Sequence, residues 1–155
     1  MTKQLKYLII HCSATKEQQE VTSDDIRKWH LKERGWSRLG YSDMIHMDGT
    51  LENLTPFDLN NEVDSWELTY GAKGINDVSR HVVYVGGLDS VGDAHDTRTI
   101  GQLYTLEIYV KYMLLRHPTI EVAGHNQFSK KYCPSFDVPA WLRSIGIREK
   151  NIYDG

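Results

Sequence analysis

Apolar and polar side chains alternate loosely over residues 5–13, a stretch rich in β-branched and aromatic types, and this predicts a buried strand with His11 and Cys12 at its far end. Thr22, Ser23, Asp24 and Asp25 then place capping and acidic groups ahead of Ile26, Trp29 and His30, while Lys28, Lys32 and Arg34 gather toward Gly35. A helix polarised in this way suits its own dipole, and the glycine stops it. Runs 44–47 and 50–54 flank Asp48-Gly49, the signal of a two-residue hairpin turn. Over residues 55–76 the periodicity dissolves among Pro56, Asn60, Asn61, Gly71 and Gly74, which predicts a long surface loop with one helical turn.

A second β-rich run covers residues 81–85 and closes at Gly86-Gly87, and residues 88–98 again read as loop. Thr99 and Gln102 form a capping box, followed by Leu103, Leu106, Val110, Met113 and Leu114 at helical spacing up to Pro118. Residues 119–123 predict a strand, and Asp137 caps a short last helix through Trp141 and Leu142. Strands interleaved with helices point to an α/β fold around a mixed sheet, in one domain over residues 1–155. No repeat or low-complexity tract interrupts it.

Composition narrows the partners. The 18 Lys plus Arg stand against 21 Asp plus Glu, a net charge of −3, without a basic cluster; neither nucleic acid nor an anionic membrane is an expected partner. No run of ~18 apolar residues exists to span a bilayer. Two cysteines make no disulfide framework, and Leu8, Ile9 and Ile10 are too short an apolar run for a signal peptide, so the expected location is cytoplasmic. Nothing in the chain demands a dimer, and a monomer is expected.

Three side chains with metal-ligand chemistry stand at informative places: His11 at the end of the first predicted strand, His125 just after the last, and Cys133 in the loop beyond it. Zinc accepts imidazole and thiolate; structural sites close with four protein ligands, whereas catalytic sites keep a position open. Cys12 neighbours His11 on a strand, where successive side chains point to opposite faces, so it is expected to pack beside Leu8 and Ile10 instead. Three ligands and an open position suit hydrolysis, because zinc lowers the pKa of water to ~7 and polarises a carbonyl. The same residues also admit ordinary hydrogen-bonded histidines or a Cys12–Cys133 pairing, the latter disfavoured by the missing export signal. His30, His46, His95 and His117 are expected at the surface of helix, strand or loop.

The stretch His11-Cys12-Ser13-Ala14-Thr15, then Ile26-Arg27-Lys28-Trp29-His30, Arg34-Gly35-Trp36 leading to Gly40-Tyr41, and Asp48-Gly49-Thr50 resembles the zinc-dependent N-acetylmuramoyl-L-alanine amidases. That family includes amidase-type lysozymes of bacteriophages and the peptidoglycan recognition proteins. The likeness continues through Ala72-Lys73-Gly74 with Asn76, Val85-Gly86-Gly87 and Gly124-His125 to Lys131-Tyr132-Cys133-Pro134-Ser135-Phe136-Asp137, nearly the whole chain in order. It implies a mixed central sheet of about five or six strands flanked by helices. It also implies Zn2+ held by His11, His125 and Cys133. Two assistants come with it: Tyr41, which orients or protonates groups near the attacking water, and Lys131, which stabilises the oxyanion. The implied reaction is hydrolysis of the amide between the lactyl group of N-acetylmuramic acid and L-alanine in peptidoglycan. The implied source is a phage, a prophage or a bacterium, with the enzyme reaching the wall after lysis or by non-standard export.

Several positions depart from that pattern. Ser42 and Asp43 stand where the family commonly has His and an apolar aromatic, and a carboxylate at Asp43 needs a partner if buried. The loop between Thr50 and Lys73 is longer by about eight residues than in compact phage enzymes, with residues 60–66 as the expected extra segment. Gly71 replaces a histidine ahead of Ala-Lys-Gly, and Ser79-Arg80-His81-Val82 replaces a strand usually reading Ser-Ile-Gly-Ile; His81 is expected to fill the space the loop histidine would take. These changes are expected to lie where the stem peptide or glycan rests, which puts specificity in question more than catalysis. The alternative function is a non-catalytic muropeptide-binding module, disfavoured by the presence of Cys133. A third reading is an interaction protein anchored by Trp66 and Tyr70 of the long loop.

Overall fold

In the computed structural model, which describes residues 2–155, the strands in chain order are β1 (Lys3–Gln4), β2 (Tyr7–Cys12), β3 (Thr15–Lys16), β4 (Asp43–Ile45), β5 (Leu51–Asn53), β6 (Glu62–Val63), β7 (Ser79–Tyr84), β8 (Gly87–Leu88) and β9 (Glu121–Gly124). The helices are α1 (Ser23–Arg27), α2 (Ile100–Arg116) and α3 (Val138–Ser144). The central sheet has five strands in the order β5-β4-β7-β2-β9. Only the β4–β5 hairpin is antiparallel, so the sheet is mixed, as the sequence predicts. The pairs β1–β6 and β3–β8 form small separate sheets.

Alternation along the buried strand β2 turns Leu8, Ile10 and Cys12 to one face of the sheet and His11 to the other. Leu8, Ile10 and Cys12 join Val82 and Tyr84 of β7 against Leu106, Val110 and Met113 of α2. Met44, Val83 and Val85 belong to a second core, with Val21 and with Ile26 of α1. Each such fully buried aliphatic side chain contributes roughly 1.5–3 kcal/mol relative to its exposed state. The predicted strands, the long helix with its Thr99–Gln102 capping box, and the short helix capped by Asp137 all form. No helix among the described residues is long and apolar enough to cross a membrane.

The first helix differs from its expectation. Thr22 caps it through a capping box with Asp25, but the α-helix ends at Arg27 and continues as a π-helical turn, Lys28–Glu33, in which the Arg34 N–H donates to the Trp29 carbonyl. The hairpin forms with a wider turn, because the His46 N–H bonds the Thr50 carbonyl and Gly49 takes the left-handed conformation at φ +91°. The long loop carries β6 as well as the expected helical turn at Ser65–Glu67. Arg38 holds it by donating to the Leu68 and Trp66 carbonyls, at 2.7 and 2.6 Å.

Three expectations about polar residues need correction. His30 and His117 are buried rather than at the surface. Gly40 N–H donates to His30 Nδ1 at 2.9 Å, and His117 Nδ1 lies 2.7 Å from Asn61 Oδ1, so tertiary partners draw both rings inward. His46 is half-buried against Glu52, and His95 is exposed as expected. Asp43 does not line a substrate groove: it is buried toward α2, accepting from Tyr109 Oη at 2.6 Å and Asn53 Nδ2 at 2.9 Å. Burial pushes its carboxyl pKa up, and these donors oppose the shift.

Candidate active site

Strands β2 and β9 run parallel with Ile10 opposite Gly124, so the next residues, His11 and His125, leave the sheet side by side at its carboxyl edge. Open α/β sheets place their ligands at that edge. The two rings lie 4.6 Å apart between centroids. Cys133 arrives from the loop ahead of α3, and several contacts fix that loop. Tyr84 Oη donates to the Pro134 carbonyl at 2.6 Å, and Ser135 Oγ donates to the Gly87 carbonyl at 2.8 Å. Ser135 itself is held in the left-handed region at φ +69°, a conformation that needs such support in a non-glycine residue.

One donor atom from each of His11, His125 and Cys133 lies within 4.8 Å of the others. Cys133 Sγ is 3.7 Å from His11 Nδ1 and receives the Cys12 N–H at 3.2 Å. Tetrahedral bonds of zinc to nitrogen and sulfur separate such donors by roughly 3.3–3.6 Å, so the set fits with little adjustment. Burial, followed by the neighbouring His81 and His125, holds the His11 pKa well below its ordinary value. Burial and then Lys131 lower that of His125. Both imidazoles are therefore neutral, the state that ligates metal. The Cys133 thiol is pushed up by its hydrogen bond with the Cys12 side chain and by burial, so its thiolate calls for a cation. Cys12 packs in the apolar core as expected, and both cysteines are free.

Tyr41 and Lys131 line the same cavity as the three candidate ligands. The Tyr41 ring sits 5.2 Å from His11 and 5.1 Å from buried His30. A Cβ at Gly40 would stand 3.0 Å from His30 Cε1, so the glycine admits this packing behind Tyr41. Burial raises the Tyr41 pKa, and the Cys133 and Cys12 sulfurs add to it, so the phenol stays an O–H donor. Lys131 is exposed at the mouth. Beyond it the cavity extends into a groove walled by Trp36, Tyr70, Lys73 and Phe128.

His81 lies deeper. Its Nδ1 is 2.8 Å from His11 Nε2 and its Nε2 is 3.0 Å from Asn76 Oδ1. Burial lowers its pKa to about 3. A Cβ at Gly71 would fall 2.4 Å from His81 Nδ1, so the ring takes the room that a side chain there would need. Sequence reasoning placed His81 near the groove, but missed its link to His11 and the role of His30 behind Tyr41. The first depends on the β2–β7 register, in which Ile9 faces His81, and the second on the π-helical turn.

The chain has the fold of amidases and peptidoglycan recognition proteins. It superposes on the N-acetylmuramoyl-L-alanine amidase LysC from Clostridium intestinale with a TM-score of 0.70 at 21% identity, covering 94% of this chain and 87% of that one. On human PGRP-IBETAC in complex with glycosamyl muramyl pentapeptide the TM-score is 0.68 at 16% identity, covering 93% and 85%. No protein-family model matches the chain. In sequence it is 35% identical over 134 residues to the endolysin of Escherichia phage T7, covering 86% of this chain and 83% of that protein. The chain belongs to the phage endolysins of the N-acetylmuramoyl-L-alanine amidase family, a family of cell-wall hydrolases.

Proposed function

We propose that this chain hydrolyses the amide joining the lactyl group of N-acetylmuramic acid to L-alanine in peptidoglycan, using a zinc ion held by His11, His125 and Cys133. The observation that carries this reading is the convergence of those three donors at the carboxyl edge of the sheet, beside Tyr41 and Lys131. When bound, zinc supplies Lewis acidity to the scissile carbonyl and to the attacking water. His11 and His125 serve as neutral imidazole donors, and the Cys12 N–H supports the Cys133 sulfur. The Lys131 ammonium stands at the open side, where negative charge develops on the carbonyl oxygen. The Tyr41 hydroxyl keeps its proton and orients the attacking water or the leaving amine. Trp36 and Tyr70 form walls for the glycan and stem peptide. Residues 1–155 act as one catalytic domain and as a monomer.

The test is release of free L-alanine amino termini from purified muropeptides, with the protein zinc-loaded and then stripped by chelator. Release that appears with zinc and stops on chelation is expected. Undiminished release in chelator overturns the metal assignment, and muropeptide binding without release shows a recognition module.

A further inference from the structure

The Asn76, His81 and His11 side chains form one buried chain of hydrogen bonds, and its polarity can be read from its outer end. The Ala72 N–H donates to Asn76 Oδ1 at 2.8 Å, which identifies that atom as the amide oxygen, an acceptor. His81 Nε2, 3.0 Å from the same oxygen, must therefore carry a proton. A neutral His81 with its proton on Nε2 has a bare Nδ1, and that atom lies 2.8 Å from His11 Nε2. The proton in this contact belongs to His11 Nε2, leaving the lone pair of His11 Nδ1 free. Nδ1 is the atom that faces Cys133 Sγ at 3.7 Å. The hydrogen-bond partners of the His81 ring are His11 and Asn76, with no carboxylate to support an imidazolium at this fully buried position.

The His81 ring is clamped in place. A Cβ at Gly71 would lie 2.4 Å from its Nδ1 and 2.5 Å from its Cγ. Gly71 is not in the left-handed region, so space and not backbone conformation excludes a side chain there.

We propose that His81 is a positioning residue for the metal centre: held by Asn76 and by the missing side chain of Gly71, it fixes His11 in the tautomer whose Nδ1 lone pair points at the ion. This rests on the zinc reading of the site, and the experiment separates the two. Groups that hold the far nitrogen of a ligating histidine set its tautomer and orientation, and their loss weakens metal binding by ~10–100-fold.

Zinc affinity of the full chain is measured by competition with a chromophoric chelator, and the tautomer of His11 by nitrogen-15 NMR of the zinc-free protein. Wild type is expected to bind zinc and to show His11 protonated on Nε2. His81→Leu is expected to lose ~10–100-fold in zinc affinity and to show mixed His11 tautomers. His81→Asn keeps an acceptor oxygen near the position of Nδ1 and is expected to recover most of the affinity. Gly71→Ala displaces the ring without changing its chemistry and is expected to weaken zinc in the same direction; it also serves if His81→Leu fails to fold. Unchanged affinity and tautomer in His81→Leu and Gly71→Ala, or His11 protonated on Nδ1 in wild type, overturns the proposal. Wild type that binds no zinc overturns the metal reading and this proposal with it, whereas wild-type zinc binding that both variants leave unchanged overturns the proposal alone.

Discussion

The two faces of strands β2 and β7 both bury titratable groups, and they manage the cost in opposite ways. Toward α2, charge is kept and matched: Arg80 lies 3.3 Å from Glu67, with both side chains fully buried, and its guanidinium stacks on Phe57. Asp43, on the same face, takes hydrogen bonds from Tyr109 and Asn53. Toward the cavity, charge is avoided: His11, His81 and His125 have lowered pKa values, each with burial as the leading cause. Arg80 and Glu67 offset each other's charge, although Arg80 Nε and Nη1 find no hydrogen-bond partner, so the first face presents no open ligand position. Neutral imidazoles aligned through Asn76 leave one lone pair unused, so the second face is ready for a cation.

The comparison can be broken most forcefully at a candidate ligand. Cys133→Ser is expected to reduce zinc-dependent release of L-alanine termini by more than the ~10–100-fold that loss of an outer partner costs. The urea midpoint of the zinc-free protein should correspond to a loss of less than ~1 kcal/mol, since serine can still accept the Cys12 N–H. Glu67→Gln probes the opposite face. It leaves Arg80 as an uncompensated buried charge and turns an amide N–H2 toward donors, and the expected loss is about 3–5 kcal/mol in urea unfolding, with kcat of the folded fraction unchanged.

Acid distinguishes the faces by sign. The folded pKa values of His11, His81 and His125 lie below the unfolded value of ~6.5, so the stability they contribute is complete above about pH 6.5. It is lost as the pH falls through the folded values, that of His81 being about 3. Asp43, raised by burial, acts the other way: its contribution is complete below the unfolded carboxylate pKa and shrinks as the pH rises. The zinc-free protein should therefore melt at lower temperature as pH is taken from about 7 toward 5, where the histidine effect prevails. A rising melting temperature over that range would contradict it. The smallest effect belongs to a local signal at the edge of both faces: Thr99→Ala removes the α2 cap and should cost ~1 kcal/mol without altering amidase activity.

The elements legible from sequence are those specified by neighbours along the chain. The capping box of Thr99 and Gln102, the Asp137 cap and the alternation through Tyr7–Cys12 involve residues within one turn or one strand, and all appear where expected. The side to which Cys12 turns was likewise readable from strand alternation. Less legible were β1, β3, β6 and β8, two-residue strands too short to show periodicity. The π-helical turn was hidden as well, because the pattern through Ile26, Trp29 and His30 suits an ordinary helix equally.

By itself, the sequence determined that the chain is an α/β domain carrying two histidines and a cysteine with metal-ligand chemistry, because local periodicity and residue type act over a few residues. Tertiary structure alone decided that Asp43 faces away from the cavity, that His30 backs Tyr41, and that His81 meets His11. Each of these depends on strand order and register between segments distant in sequence. There, a shift of one residue would turn every side chain to the other face of the sheet.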